Sequence, residues 1–378
     1  METQTFAHTT SNGWGTARFP DWDSPSTLVV VFGPSRRLDD PGPLAELLSA
    51  YPASHVIGCS TSGEIHGTAV EDDSLTVAVC RFAGTQLRST GAQVGPEARD
   101  SARAGSQIAA ALMADDLKCV LVISDGIRVN GAELVRGMND VLPASVVVTG
   151  GLAGDGDRFQ RTWVIAQGRP ATNRISAVGF YGQRIHVAHG SQGGWDPFGP
   201  QRTVTRSQGN VVYEIDDRPA LALYKEYLGD RAAGLPATAL LFPLGLLETG
   251  GAPLVRTILA IDEGAQSMTF AGDVPQGKHV QLMRGVFDRL VAGAADAGRE
   301  TASAVRAGAP GLAIAISCVG RRLVLGQRAE DEVEAALEAL PTGANLVGFY
   351  SYGEISPSGF GPCSLHNQTM TLTHFQEL

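Results

Sequence analysis

Charge is scarce in this sequence. Asp, Glu, Lys and Arg make up 18% of its 378 residues, below the share of about 25% usual in globular proteins. Basic residues are the scarcer sign, 29 against 39 acidic, which leaves a formal net charge of −10. Grip on a phosphate backbone comes from Lys and Arg, and the pairs Arg36-Arg37 and Arg321-Arg322 are isolated. The balance argues against a nucleic-acid partner. Long hydrophobic runs are missing too: the most apolar stretch, Ala239 to Leu247, is short and holds Pro243 and Gly245. A membrane helix needs about 20 apolar residues, so no membrane span is expected. The first residues lack a basic start followed by an apolar core, so no signal peptide is read. Cysteine is rare: Cys59, Cys80, Cys119, Cys318 and Cys363 stand far apart and form no CxxC. Free thiols in a reducing cytoplasm are the simplest account.

What is present is core-forming material. Hydrophobic residues reach 43%, which excludes a disordered chain. The 46 glycines and 20 prolines follow no triplet period, which excludes collagen and implies many turns between short elements. The length suggests two domains or three.

One unit recurs along the chain. Leu28 to Phe32 is a β-branched apolar run that reads as a buried strand. Pro43 opens a helical pattern with Leu44, Leu47, Leu48 and Tyr51 on one face, and His55 to Cys59 returns as a strand. That strand stops in the turn GCSTSGEI, and Leu75 to Phe82 is the next strand. The same order returns from Cys119, where Asn130 caps a helix with Glu133 in capping-box spacing. Ser145 to Thr149 then ends in GGLAGDG, followed by a strand at Thr162 to Ala166. It returns once more from Gly311 to Cys318, through a helix led by Glu330, Asp331 and Glu332, to Asn345–Tyr350 and the turn YSYGEI. Helical segments precede the second and third units, one from Pro96 and one from about Gly285 to Arg306. The predicted fold class is α/β (mixed α+β), with two pseudo-duplicated halves of mixed sheets covered by helices. Closely spaced strand pairs after each turn cannot be parallel crossovers, which favours mixed sheets. Arg184 to Gly209 has the composition of an inter-domain crossover. Beyond it, Val212 to Leu228 reads as a strand end leading into a helix, and three short strands follow between Val255 and Met283.

Common catalytic signatures fail. Neither GCSTSG nor GFYSYG is a GxSxG elbow, and no GxxxxGK[ST] loop occurs. Gly150 and Gly151 follow a strand but lead to another strand, not to the helix a dinucleotide loop needs. His186 and His189 would face opposite sides of a strand and make poor joint metal ligands. Cys318, near Arg321, is the thiol whose neighbour could activate it, against the more ordinary reading of a buried strand-end cysteine. The two GEI turns carry more. Each sets a carboxylate, Glu64 or Glu354, after Gly63 or Gly353 at the end of an apolar strand. Hydroxyls precede it: Ser60, Thr61 and Ser62 in one, Tyr350, Ser351 and Tyr352 in the other. Strand ends of open α/β sheets are where ligands sit, and carboxylate, hydroxyls and free amides together suit an amino acid. The competing reading is a turn whose polar groups satisfy one another. Glu354 and Tyr352 are expected to line a pocket, with Arg256 or Arg321 as the partner of Glu354.

GCSTSGEI, VVTGGLAGD, SCVGRRLVLG and NLVGFYSYGEISP together, in this order, resemble the FIST family of F-box and intracellular signal transduction proteins. The resemblance runs from about residue 25 to 375 and implies a FIST N-like domain over 25–205 and a FIST C-like domain over 206–378. It implies a bacterial sensory input protein for a small ligand, amino acids having been proposed, that acts on a separate partner: a histidine kinase, a chemoreceptor or a cyclic-nucleotide output protein. A branch of the family resembles haem-bearing nitric oxide sensors, so haem is the cofactor the resemblance leaves open. His55, His66, His186, His189, His279 and His366 are available as axial ligands. The candidate ligand-binding positions are Cys59, Ser60, Thr61, Ser62, Glu64, Gly150, Gly151, Arg256, Cys318, Arg321, Tyr350, Tyr352, Gly353 and Glu354. An enzyme using Cys318 or Glu354 is the alternative from another class, and no catalytic or metal site is assigned.

Overall fold

Continuous apolar runs become strands covered on both faces, and here they do so three times. The computed structural model describes residues 1–95, 98–247, 253–306, 311–357 and 361–378. In the first unit, β1 (Glu2–Thr9) and the short β2 (Gly13–Trp14) precede β3 (Thr27–Gly33), α1 (Gly42–Ala50), β4 (His55–Ser60), the hairpin β5 (Glu64–His66) and β6 (Ala69–Glu71), and β7 (Leu75–Arg81). The second runs β8 (Gln86–Gln93), α2 (Ala98–Leu112), β9 (Leu117–Ser124), α3 (Gly131–Asn139), β10 (Val147–Leu152), the hairpin β11 (Val164–Ala166) and β12 (Arg169–Ala171), and β13 (Arg174–Tyr181). The third opens with β14 (Ile185–Gln192). An antiparallel insertion follows: β15 (Trp195–Gln208), β16 (Val211–Ile215), β17 (Arg218–Pro219), α4 (Ala220–Leu228), β18 (Leu244–Leu246), β19 (Leu254–Arg256), β20 (Ile258–Asp262), β21 (Ser267–Phe270) and β22 (His279–Gly285). The unit resumes with α5 (Phe287–Ala304), β23 (Gly311–Cys318), α6 (Val319–Leu325), α7 (Ala329–Ala339), β24 (Asn345–Ser351), the hairpin β25 (Gly353–Pro357) and β26 (Cys363–His366), and β27 (Met370–Glu377).

Each unit builds a mixed sheet on one plan. In each unit the strand before the outer helix and the strand after it pair in parallel, β3 with β4, β9 with β10 and β23 with β24, and the last strand of the unit runs antiparallel beside the first of that pair. The hairpins do not stay at home. β5 pairs with β24 of the third sheet, β25 with β10 of the second, and β11 with β4 of the first. The three sheets are thereby interlocked in a closed cycle. Their inner faces share one core, in which Phe32 meets Phe349 at 4.5 Å between ring centroids and Phe180 meets Phe375 at 4.9 Å. Helices cover the outer faces: α1 on the first sheet, α2 and α3 on the second, α5 and α7 on the third. Mixed sheets covered by helices are what the sequence implies. The recurring unit occurs twice before the insertion and once around it.

The glycines that begin the turns have a steric reason. A Cβ at Gly58, Gly150 or Gly348 would overlap the carbonyl oxygen of Val31, Val122 or Ala315 on the parallel neighbour. Only glycine lets those strands approach so closely.

Two expectations need correction or limits. Arg184–Gly209 is not a crossover; it holds β14 and the long β15. β14 is an edge strand and β15 lies between β22 and β16 in the antiparallel insertion; both are only partly buried, so they lack the continuous apolar run that marked the others. The helix start at Pro96 lies outside the described residues; α2 is described from Ala98. Asn130 caps α3 as expected, its side chain accepting from Glu133 N at 3.1 Å. Among the described residues, no helix is long and apolar enough to cross a membrane.

Candidate functional site

The three turns meet at one end of the shared core. Ser62 N donates to the Tyr350 carbonyl at 2.8 Å, Tyr352 N to the Leu152 carbonyl at 3.1 Å, and Gly154 N to the Ser60 carbonyl at 2.8 Å. These bonds close a circuit in which each turn leans on the next. Over the first turn opens a cleft of about 440 Å³, within the usual range for small-molecule sites. All three units line it: Thr61–Glu64, Asp72 and Asp73 from the first, Gly156–Arg158 from the second, and Val319, Arg322 and Leu323 of α6 from the third.

Its walls carry both signs of charge. Arg322 holds Asp72 through two bonds, 2.8 and 2.9 Å, and donates to the Ser62 carbonyl at 2.5 Å. Its guanidinium also lies over the Tyr350 ring, 5.5 Å from the centroid. Burial works against the Arg322 charge, and the Asp72 carboxylate more than offsets it. The same bond holds Asp72 below the usual carboxylate range. Arg158 is held by Asp155 at 2.6 Å, with its side chain still about half exposed, and that bond keeps its guanidinium firmly charged. Asp157 lines the same rim. Underneath, Glu64 is buried. One carboxylate oxygen accepts from the Thr61 hydroxyl, and the other from Ser74 N at 3.0 Å and Ser74 Oγ at 3.1 Å. Burial pushes Glu64 up to about 7, against the pull of those donors. The cleft can hold opposite charges a few ångströms apart above a carboxyl that titrates near neutrality.

Of the residues singled out from sequence, Thr61, Ser62 and Glu64 line this cleft. Ser60 is buried behind them, its hydroxyl accepting from Trp163 N at 3.0 Å, and Cys59 lies in the shared core. Gly150 and Gly151 sit in β10 with Gly151 opposite Glu354, and Gly353 opens β25 opposite Leu152. Tyr352 supports the rim: its ring stacks on Phe159 at 4.3 Å, and its hydroxyl accepts from Phe159 N and donates to the Gly156 carbonyl. Glu354 does not line the cleft. It is fully buried, bonded to Ser351 Oγ at 2.6 Å and to Thr369 N and Oγ1 at 3.2 and 2.9 Å, and burial pushes it up to about 8. The two glutamates thus repeat one arrangement: a hydroxyl three residues earlier on one oxygen, and a hydroxyl with its own amide on the other.

Neither expected arginine pairs with Glu354. Arg321 points into the core and forms an ion pair with Glu332 at 2.7 Å, both side chains fully buried, while Ser317 and Tyr350 hydroxyls bond the other carboxylate oxygen. Arg256 lies in the insertion and donates to the carbonyls of Leu365 and Asp273. A carboxyl already served by three donors and kept protonated by burial has no call for a guanidinium. Cys318 is buried, and desolvation drives its thiol well above the ordinary value, the reverse of what a thiolate nucleophile needs. The other four thiols are buried and raised likewise. Sequence reasoning missed Asp72, Asp157, Arg158 and Arg322. Arg158 lies four residues after Gly154, but the adjacent Arg321 and Arg322 read alike until α6 turns one inward and the other to the cleft.

Haem requires an axial nitrogen or sulfur beside an open cavity. Among the described residues, the lining of this cleft holds no His or Cys, so its residues do not fit that group. His366 uses Nε2 on the Ser356 carbonyl and His186 uses Nε2 on the Ala304 carbonyl.

Two family models match the chain, the FIST N domain over residues 27–218 and the FIST C domain over 220–357. A protein described as uncharacterized, MJ1623 of Methanocaldococcus jannaschii, is 24% identical over 162 residues, which is 39% of this chain and 31% of that protein. The chain therefore matches only about a third of that relative's length. Among solved structures, a chorismatase aligns over 100% of this chain and 98% of its own with a TM-score of 0.36 and 11% identity. A cyanuric acid hydrolase from A. caulinodans aligns over 99% and 98% with a TM-score of 0.33 and 11% identity. Likeness at that level carries no functional argument.

Proposed function

Because the chain belongs to the FIST family, whose domains are sensory modules of signal transduction, we propose that it is a sensor whose ligand is a small zwitterion of the amino-acid type, bound in the cleft between the three units. One observation carries this reading: the cleft sets Arg158 and Arg322 against Asp72 and Asp157 within a single concavity. A ligand carboxylate meets the guanidiniums, for which their planar fork is suited, and a ligand ammonium meets the carboxylates. Thr61 and Ser62 supply hydroxyls between them. The signal leaves through a protein partner, a histidine kinase, a chemoreceptor or a cyclic-nucleotide enzyme. The physical basis is population shift: a ligand touching all three units favours the arrangement in which they close on it, and the partner reads that arrangement. A ligand binding open and closed forms equally would transmit nothing.

Titration calorimetry with the free amino acids, and with their amides and deaminated acids, tests the reading. An amino acid is expected to bind, both truncated analogues to bind more weakly, and Arg158→Ala to weaken the complex roughly 10- to 100-fold, the worth of a charged hydrogen bond. Binding that ignores the loss of either ligand charge, or is indifferent to Arg158→Ala, overturns it.

A further inference from the structure

The cyclic plan places related clefts on the flanks, at the far ends of the sheets from the central turns. Two are open. One, of about 410 Å³, lies between the start of β4, the β11–β12 hairpin and the edge strand β8 of the second sheet. The other, of about 250 Å³, lies between the start of β10, the β25–β26 hairpin and the edge strand β14 of the third sheet. The positions correspond, so each serves as a control for the other, and their linings differ. Among the described residues, the β10 cleft holds no Lys, Arg, Asp or Glu and is mainly apolar. The β4 cleft contains Arg174 and His55, the hydroxyls of Ser89, Thr90 and Ser176, and, among the described residues, no acid.

Arg174 is unusual in its company. Arg158 and Arg322, at the central junction between units, are each held by a carboxylate. Arg174 is half-buried in the cleft, and among the described residues no carboxylate pairs with it. His55 and Ser89 are fixed across the gap by a bond of 2.6 Å between Nδ1 and Oγ. Burial lowers the proton affinity of His55. Tyr51, Val56 and Ile165 line the same cleft with apolar side chains. A cation without a counter-ion, hydroxyls and apolar side chains gathered in one cleft suit an organic anion with one charged end and one hydrophobic end.

We propose that this cleft between the first and second sheets is a second ligand site, distinct from the central one, that binds a small aromatic or branched carboxylate through Arg174. β4 links the two places: His55 at its start lines this cleft, and Ser60 at its end joins the circuit of turns. A ligand here touches the strand that carries the central turn.

Benzoate, with benzamide as its uncharged match, is the probe. Binding is followed by the methyl signals of isoleucine-labelled protein, in which Ile165 marks this cleft. Benzoate at millimolar concentration is expected to shift the Ile165 signal, and benzamide to do so at least tenfold more weakly. Arg174→Ala and Arg174→Gln should both lose benzoate binding by at least tenfold, the two variants guarding against a fold defect in either. Arg158→Ala, in the central cleft, should leave it unchanged. The proposal is overturned by an unmoved Ile165 signal, by equal binding of benzoate and benzamide, by retained affinity in both Arg174 variants, or by loss of binding in Arg158→Ala, which places the probe centrally. None of these outcomes depends on whether amino acids bind the central cleft.

Discussion

Replacing Glu354 with Gln should make the protein more stable at mildly alkaline pH while leaving it almost unchanged in mild acid. The carboxyl is fully buried and burial raises it from 4.5 to about 8. Below 4.5 the folded and unfolded chains both hold the proton, and the stability it contributes is fully present. Between 4.5 and about 8 the unfolded chain ionises while the folded chain does not, so stability falls by about 1.4 kcal/mol per pH step and is lost once pH passes the folded value. The whole rise corresponds to ~5 kcal/mol. A glutamine has no proton to lose and fits the same contacts: its carbonyl accepts from Thr369 N and Oγ1, and its amide donates to Ser351 Oγ. Urea unfolding at about pH 5 and about pH 8 reads the crossover. Near pH 5 the variant should lie within about 1 kcal/mol of the parent, and near pH 8 it should exceed it by several kcal/mol. An unfolding entropy of about 0.8 kcal/mol/K for this length makes the difference near pH 8 about 6 °C in Tm. A stability difference that is the same at both pH values would refute the reasoning, because it would mean that Glu354 is already ionised in the fold.

Removing one partner of the buried Arg321–Glu332 pair leaves an uncompensated charge in the core, so Glu332→Ala should cost about 3–5 kcal/mol in urea unfolding. A cost below 1 kcal/mol would mean that water reaches Arg321. All five cysteines are buried and their thiols raised, so Ellman's reagent should label none in the native protein and five in denaturant; fast native labelling of Cys318 would contradict its position. Gly348→Ala drives a methyl group into the Ala315 carbonyl and should destabilise by about 1–3 kcal/mol, whereas Gly168→Ala, with open space around it but a positive φ of 71°, should cost about 1 kcal/mol from backbone strain alone.

The strands of the three sheets were legible because they are largely apolar runs, and Thr27–Gly33 and Gly311–Cys318 are buried at every position. The α3 cap was legible because the Asn130–Glu133 signal is local. The hairpin exchange was not: β5 at residues 64–66 pairs with β24 at 347–349, and nothing in either segment names its distant partner. β14 and β15 hid behind a Gly- and Pro-rich composition, since a strand that is only partly buried needs no unbroken apolar run. At the cleft, the glycine turn announced Thr61, Ser62 and Glu64. Its charged rim comes from Asp72, Arg158 and Arg322, gathered from all three units by the tertiary fold. The repeated GEI suggested one role for both glutamates, and their hydrogen bonds do match, but only the first lies beneath the open cleft.

The exchange of hairpins also constrains how the chain can be made. On a ribosome the first unit emerges well before the third, yet β5 and β6 have no sheet to join until β24 exists. The edge of β10 likewise waits for β25, and β14 waits for β27. Synthesis at about 5–20 residues per second leaves those edges unpaired for many seconds, a hazard for sheet-to-sheet aggregation. The boundary between the two matched domains, near residue 219, falls inside this interval. A fragment ending there would carry a hairpin without a sheet and a sheet without its hairpin, so the two domains are one cooperative unit of folding, completed only when the last strands arrive.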